Sequence, residues 1–265
     1  MNKMKLVSWY EDYGNKNMWN NESNVKCVCD RCLYDNQRTG KQVAMLIEPR
    51  SIMPDTYEFI MKNYDKYEYV FTHDSILLNK LPNAKPILWG NVWVRDRYPK
   101  KSKLISMVCS DKEACELHKE RIRIARKYKD KIDVYGTVDG GEYVDPSVPL
   151  IEYRYSVVIE NYIDDIWFTE KICNCFATRT IPIYYGARCL DNYFNMDGII
   201  ECQSINQVEN KIDAIINNPE EFKDVYNQEN VQKALEENYE KSKEFNCFDE
   251  WLYNTYEKEI GGLFE

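Results

Sequence analysis

Short apolar runs alternate with amphipathic stretches along most of this chain, and turn residues separate them. Lys5 to Trp9 reads as a first strand. Residues 11–40 are rich in Asn, Asp, Gly and charge, and read as a long loop or a short hairpin with an irregular tip. Lys41 to Ile47 contains an unbroken apolar run from Val43, as a buried strand does, and Pro49 ends it. A helix is predicted over Asp55 to Asn63, a strand over Tyr69 to Thr72, a short helix over Asp74 to Lys80 capped by Asp74 or Ser75, and a strand over Lys85 to Trp89. Residues 94–102 are basic and polar and read as a linker. The alternation then restarts. Lys103 to Cys109 is a strand, and Ser110 or Asp111 caps a helix running to about Lys129. Ile132 to Tyr135 is a strand ending at Gly136, and Asp139-Gly140-Gly141 is a turn. Tyr153 to Ile159 is a strand, Thr169 to Ala177 a helix, and Thr180 to Tyr185 a strand ending at Gly186. An amphipathic helix spans Ser204 to Asn217, and the tail from 219 to about 260 is helical and polar.

Strand–helix alternation in both halves predicts α/β architecture: two Rossmann-like domains facing a cleft, residues 1–100 and 101–265, the second with a helical tail. Such sheets bind ligands at the carboxyl ends of their strands. That rule singles out Glu48, Ser110, Gly136, Glu160 and Gly186.

Composition narrows the function classes. Of 265 residues, 44% are hydrophobic and 30% charged, which makes the chain globular rather than disordered. The net charge of −9 weighs against a duplex nucleic-acid binder, although bulk charge does not exclude a local basic cleft. No apolar run approaches the ~20 residues that span a bilayer, so no membrane anchor is expected. The ten cysteines show no regular disulfide spacing and no signal peptide precedes them, so reduced thiols in the cytoplasm are expected. Cys27, Cys29 and Cys32 form part of a zinc-type spacing, but no second pair follows nearby and they read as loop cysteines. His73 and His118 are too far apart in the pattern to suggest a metal pair. Asp164-Asp165 is not the Asp-x-Asp of metal-dependent transferases. No metal is expected.

The densest chemistry lies in residues 153–187. A strand delivers Glu160-Asn161 to its carboxyl end, and after a short loop Thr169 opens a helix with Glu170 and Lys171 in its first turn. A helix N-terminus offers unpaired N–H groups and partial positive charge, which suits a diphosphate. The same residues also make an ordinary helix start, with Thr169 as N-cap and Glu170 favourable to the dipole. Lys171 is unfavourable to that dipole and invites another reason.

The order and spacing of Tyr153-Arg154-Tyr155, Ile159-Glu160-Asn161, Trp167-Phe168-Thr169-Glu170-Lys171 and Ile181-Pro182-Ile183-Tyr184-Tyr185-Gly186 resemble the signature of the family 10 glycosyltransferases, the α-1,3/1,4-fucosyltransferases. Residues 101–136 also resemble that family, and the likeness is weak before residue 101. It implies a GT-B fold, an inverting transfer of L-fucose from GDP-fucose to a glycan hydroxyl, and no cofactor. It implies that Glu170 contacts ribose or sugar hydroxyls and that Lys171 contacts the phosphates. Arg121 is implied as a second phosphate-binding cation, with Arg123 as fallback. Thr169, Asn161, Glu160, Trp167, Gly136 and Ser110 complete the implied donor site. Met45 to Ser51 resembles the family segment that carries the general base, which makes Glu48 the base, with Asp74 and Glu160 as rivals. Trp167 and Phe168 depart from the family's Tyr-Val, so the sugar pocket is expected to differ. Three other classes stay open: a same-fold transferase using another nucleotide sugar or a protein, lipid or nucleobase acceptor, a non-catalytic nucleotide-sugar-binding protein, and a DNA-modifying enzyme, which the acidic pI weighs against.

Overall fold

The computed structural model describes residues 2–9, 16–35, 40–95 and 100–265. Residues 11–15 and 36–39 of the expected loop, and 96–99 of the expected linker, lie outside the described residues. The chain forms two compact units. One comprises Met1–Trp89, Asp164–Trp167 and Glu244–Glu265; the other comprises Gly90–Ile163 and Phe168–Lys243.

The first unit holds a parallel sheet of β1 (Lys5–Val7), β2 (Lys26–Cys29), β3 (Gln42–Leu46), β4 (Tyr69–Thr72) and β5 (Ala84–Pro86), in that spatial order. Helices α1 (Cys32–Asp35), α2 (Pro54–Asn63) and α3 (Ser75–Lys80) accompany it. Strand β2 corrects the reading of residues 11–40 as loop or hairpin: it pairs in parallel with both β1 and β3. Its text, Lys-Cys-Val-Cys, becomes a short apolar run of a strand buried on both faces once cysteine counts as a small hydrophobe. Cys27 and Cys29 face one core with Val43, Met45 and Phe71, which the last helix, Phe248–Gly261, covers through Phe248, Leu252, Tyr256 and Ile260. Val28, Ala44, Leu46 and Val70 face the other core, with Leu33, Tyr57, Ile60 and Leu77. Cys27 and Cys29 are thus packing residues of a strand and Cys32 opens α1, so none of the three is a loop cysteine.

The second unit contains β6 (Lys103–Val108), α4 (Glu116–Tyr128), β7 (Asp133–Tyr135), α5 (Val148–Ile151), β8 (Tyr153–Ile159), α6 (Glu170–Ala177), β9 (Ile181–Tyr185), β10 (Ile200–Glu201), α7 (Ile205–Asn217), α8 (Pro219–Tyr226) and α9 (Glu229–Ser242). Its sheet is parallel, in the order β10-β9-β8-β6-β7. The chain leaves β6 toward β7, then returns to β8 on the other side. That reversal between β6 and β8 is the topological switch point, where doubly wound sheets open a crevice for ligands.

Helix α4 starts later than the Ser110 or Asp111 cap predicts. Asp111 is used elsewhere: its backbone N–H donates to Thr137 Oγ1 at 3.2 Å, and that hydroxyl donates back to Asp111 Oδ1 at 2.9 Å. Cys115 is the N-cap residue instead. The buried residues of α4 include His118, Arg121, Ile124, Ala125 and Tyr128, one helical stripe turned toward the sheet. Among the described residues, no helix is long and apolar enough to cross a membrane.

Candidate functional site

Strand β8 is buried along nearly its whole length and ends at Ile159, so it carries Glu160 into a fully buried position at 0% exposure. A carboxylate there must be paired and hydrogen-bonded. Glu160 accepts from Thr169 N at 3.0 Å and from Thr169 Oγ1 at 2.9 and 3.0 Å, and Lys171 Nζ stands 3.2 Å from its Oε2. Thr169 in turn caps α6, its Oγ1 accepting from Lys171 N. Lys171 Nζ also donates to Thr169 Oγ1 at 2.9 Å and to Glu170 Oε1 at 3.4 Å. Desolvation alone would lower the Lys171 pKa; the charges of Glu160 and Glu170 outweigh it and hold the ammonium above its ordinary value. Lys171 retains 28% exposure, and the Glu170 contact is the longest of its three. Gly186 makes room for this arrangement. A Cβ there would stand 2.6 Å from Glu160 Cγ and 2.3 Å from Tyr184 Oη.

The arginine of α4 reaches the same strand end. Arg121 is 8% exposed; its Nη1 donates to Ile159 O at 3.0 Å and its Nη2 to Asn161 Oδ1 at 2.9 Å. Burial pulls its pKa down, and the charge of Glu160 pushes back. Arg123 points elsewhere: it pairs at 2.8 Å with Glu120 and with Glu209, half-exposed on the outer face of the helix. Arg121 and Lys171 therefore serve three consecutive residues, Ile159 to Asn161, beside the switch point. Ser110 follows β6 at the same sheet edge. Gly136 ends β7 at φ +102°, where a Cβ would meet Cys109 O at 2.3 Å, so no other residue fits that turn without displacement.

Trp167 and Glu48 belong to the first unit. Trp167 is buried with its ring 4.0 Å from that of His73. Glu48 follows β3, half-buried. Its backbone N–H donates to Asp30 Oδ2 at 3.4 Å and its carbonyl accepts from the Tyr57 hydroxyl at 2.8 Å. Asp74 caps α3 through Leu77 N and takes both Arg50 Nε and Nη2 at 2.8 Å, so its oxygens are occupied.

Two residues escaped the sequence reading. Asp30 sits 3% exposed at the end of β2, at φ +45°, and also accepts Ile47 N–H at 2.9 Å. Burial raises its pKa to about 7 against those hydrogen bonds, and the charge of Glu48 adds to the rise. His118, dismissed as a metal ligand, lies 3.0 Å from Asn161 Oδ1. The stripe of α4 could have revealed it, because it shares the buried face with Arg121. Among the described residues, no group of three or more His, Cys, Asp or Glu side chains is placed to hold a metal.

The model of the glycosyltransferase family 10 (fucosyltransferase) C-terminal region matches residues 98–249. The chain belongs to glycosyltransferase family 10. No curated protein matches this family 10 chain significantly in sequence. Several solved structures share its fold. A crystal structure of an α1,3-fucosyltransferase superposes with a TM-score of 0.52 at 13% identity, covering 92% of this chain and 88% of that one. The pneumococcal O-GlcNAc transferase GtfA, in complex with UDP and GlcNAc, superposes at 0.53 and 12% identity over 91% of this chain and 57% of that one. Sucrose-phosphate synthase from Thermosynechococcus elongatus gives 0.51 and 11% over 88% and 74%. These are GT-B glycosyltransferases, and the two parallel Rossmann-like sheets of the family 10 chain have that fold. The family match makes it a glycosyltransferase.

Proposed function

We propose that this enzyme transfers L-fucose, with inversion, from GDP-β-L-fucose to a glycan hydroxyl. The main support is the convergence of Arg121 and Lys171 on Ile159 to Asn161, beside the switch point of the second sheet. Two cations and the N-terminus of α6 form a seat for a diphosphate. Structural neighbours described as α1,3-fucosyltransferases with GDP and with GDP-fucose agree with that donor.

In the proposed reaction the acceptor oxygen attacks the anomeric carbon opposite the diphosphate. The C1–O bond to the β-phosphate breaks ahead of bond formation, and GDP leaves carrying the electron pair. Glu48 takes the acceptor proton as general base. Arg121 and Lys171 stabilise the charge that grows on the leaving diphosphate. Lys171 reaches it by giving up its 3.4 Å contact with Glu170, and the released Glu170 accepts from ribose or sugar hydroxyls. Trp167, Asn161, Gly136 and Ser110 are assigned to the donor site as lining and turn residues. No resident metal is invoked, so EDTA leaves turnover unchanged. A reducing compartment such as the cytoplasm is part of this reading, because the ten cysteines have no regular disulfide spacing in the sequence.

The test is GDP release from GDP-fucose, with the product anomer read by NMR. Lys171→Ala should lower turnover about 100-fold, the usual cost of one lost charge-stabilising donor. Glu48→Gln should lose transfer while GDP still binds. If Lys171→Ala leaves both GDP affinity and turnover unchanged, the site is misassigned. A thermal-shift panel of GDP-, UDP-, CMP- and dTDP-sugars tests the donor, because a ligand of the folded state raises the melting temperature. A shift with UDP-sugars alone would replace GDP-fucose in this reading.

A further inference from the structure

Asn161 is held from two sides. Arg121 Nη2 donates to its Oδ1 at 2.9 Å, and His118 Nε2 lies 3.0 Å from the same oxygen. The backbone N–H of Ala114 donates to His118 Nδ1 at 3.2 Å. A neutral imidazole whose Nδ1 accepts must carry its proton on Nε2. His118 is therefore the second donor to Asn161. It stands one turn before Arg121 on the buried stripe of α4, at 4% exposure.

We propose that His118 is a positioning residue for the donor diphosphate: through Asn161 it fixes the guanidinium of Arg121 at the end of β8. The inference rests on the reading of Arg121 as a phosphate ligand. Two converging N–H donors permit only one orientation of the Asn161 amide, because a flipped amide would set its NH2 against both. With the oxygen fixed, Arg121 has two defined acceptors, Ile159 O and Asn161 Oδ1. These use two of its five N–H groups and leave three for an incoming anion. Donors aligned before the ligand arrives need no reorganisation when it binds.

Histidine suits this place better than a second cation would. Burial first, and then the charges of Arg121, Lys112 and Lys171, lower its pKa to about 4, against the hydrogen bond with Asn161 that raises it. The ring thus stays neutral at physiological pH. It donates a hydrogen bond without repelling the guanidinium it serves.

A double-mutant cycle on the full chain tests this. GDP is the probe, its affinity is measured by calorimetry, and steady-state turnover of GDP-fucose is followed in parallel. His118→Leu should weaken GDP about tenfold, within the range of coupling between residues that share a network. It should raise the KM for GDP-fucose while kcat changes little. His118→Gln, whose amide can still donate to Asn161, should recover affinity to within about threefold of wild type. In an Arg121→Met background, His118→Leu should cost nothing further. Full additivity of the two substitutions, or wild-type affinity in His118→Leu, overturns the inference. If His118→Leu does not fold, His118→Phe keeps a ring and removes both nitrogens. If Arg121→Met itself binds GDP like wild type, the reading of the donor seat fails and takes this inference with it. If Arg121→Met loses GDP and His118→Leu does not, only this inference fails.

Discussion

Replacing Glu160 by glutamine separates a structural hub from a ligand contact. The carboxylate is fully buried and receives Thr169 N–H, Thr169 O–H and the Lys171 ammonium. Glutamine has the same shape but keeps one acceptor oxygen and puts an NH2 group where the other stood. That NH2 then faces either the Thr169 backbone N–H or the ammonium, donor against donor. Breaking a buried ion pair from one side costs about 3–5 kcal/mol, and Lys171 retains enough solvent to soften this to about 2–4 kcal/mol. For a unit of this size, such a loss lowers the melting temperature by about 5–15 °C. Thermal unfolding followed by circular dichroism reads that shift. GDP titration below the transition reads the site separately. Lys171 keeps its charge and loses a competing carboxylate, so GDP affinity of the folded variant should fall by less than tenfold. A melting temperature within about 1 °C of wild type would refute the hub. An unchanged melting temperature together with lost GDP binding would make Glu160 a direct donor contact.

Three further outcomes follow from the same geometry. The folded pKa of Asp30, about 7, lies above its unfolded value, so its contribution to stability is complete below about pH 4 and lost as pH rises to about 7. Relative to Asp30→Asn, the wild type should lose on the order of 4 kcal/mol across that window; a difference in melting temperature that stays flat from pH 4.5 to 7.5 would contradict the burial argument. Arg123→Ala removes exposed pairs with Glu120 and Glu209, and should change stability by less than about 1 kcal/mol and leave GDP affinity unchanged; a loss of GDP binding would return the phosphate role to Arg123. Gly136→Ala forces a Cβ against Cys109 O at positive φ and should cost about 1–3 kcal/mol by urea unfolding, so a neutral result would refute the close approach.

The residues of the proposed anion seat could be picked out together because they lie close together in sequence. Thr169, Glu170 and Lys171 share one helix start, and spacing carries them with Glu160 and Gly186. Arg121 could have been separated from Arg123 by period alone. Arg121 shares its stripe with Ile124, Ala125 and Tyr128, whereas Arg123 lies with Lys119 and Lys127 on the outer face. What stayed hidden depended on pairing across the chain. Strand β8 is buried on both faces, so alternation could not say which way Glu160 points. Strand β2 is four residues long, half of them cysteine, and only its neighbours β1 and β3 make it a strand. Asp30 was lost with it, since its burial exists only once β2 delivers it beside Glu48.

The two sheets also divide the charge in a way that favours the proposed roles. In the second sheet the strand order reverses between β6 and β8, and two cations gather at that reversal. The first sheet runs in sequential order and has no such reversal among its described strands. Its carboxyl edge carries Asp30 and Glu48 at the ends of β2 and β3, while Arg50 beside them is neutralised by two bonds to Asp74. An edge of that kind repels a diphosphate. It suits a group that must accept a proton, because neighbouring negative charge favours protonation: the charge of Glu48 adds to the burial that raises Asp30 to about 7. The proposed anion binding at the end of β8 and the start of α6, and the proposed proton acceptance at the end of β3, thus each fall where the local charge favours them, within units that the same strand–helix alternation built.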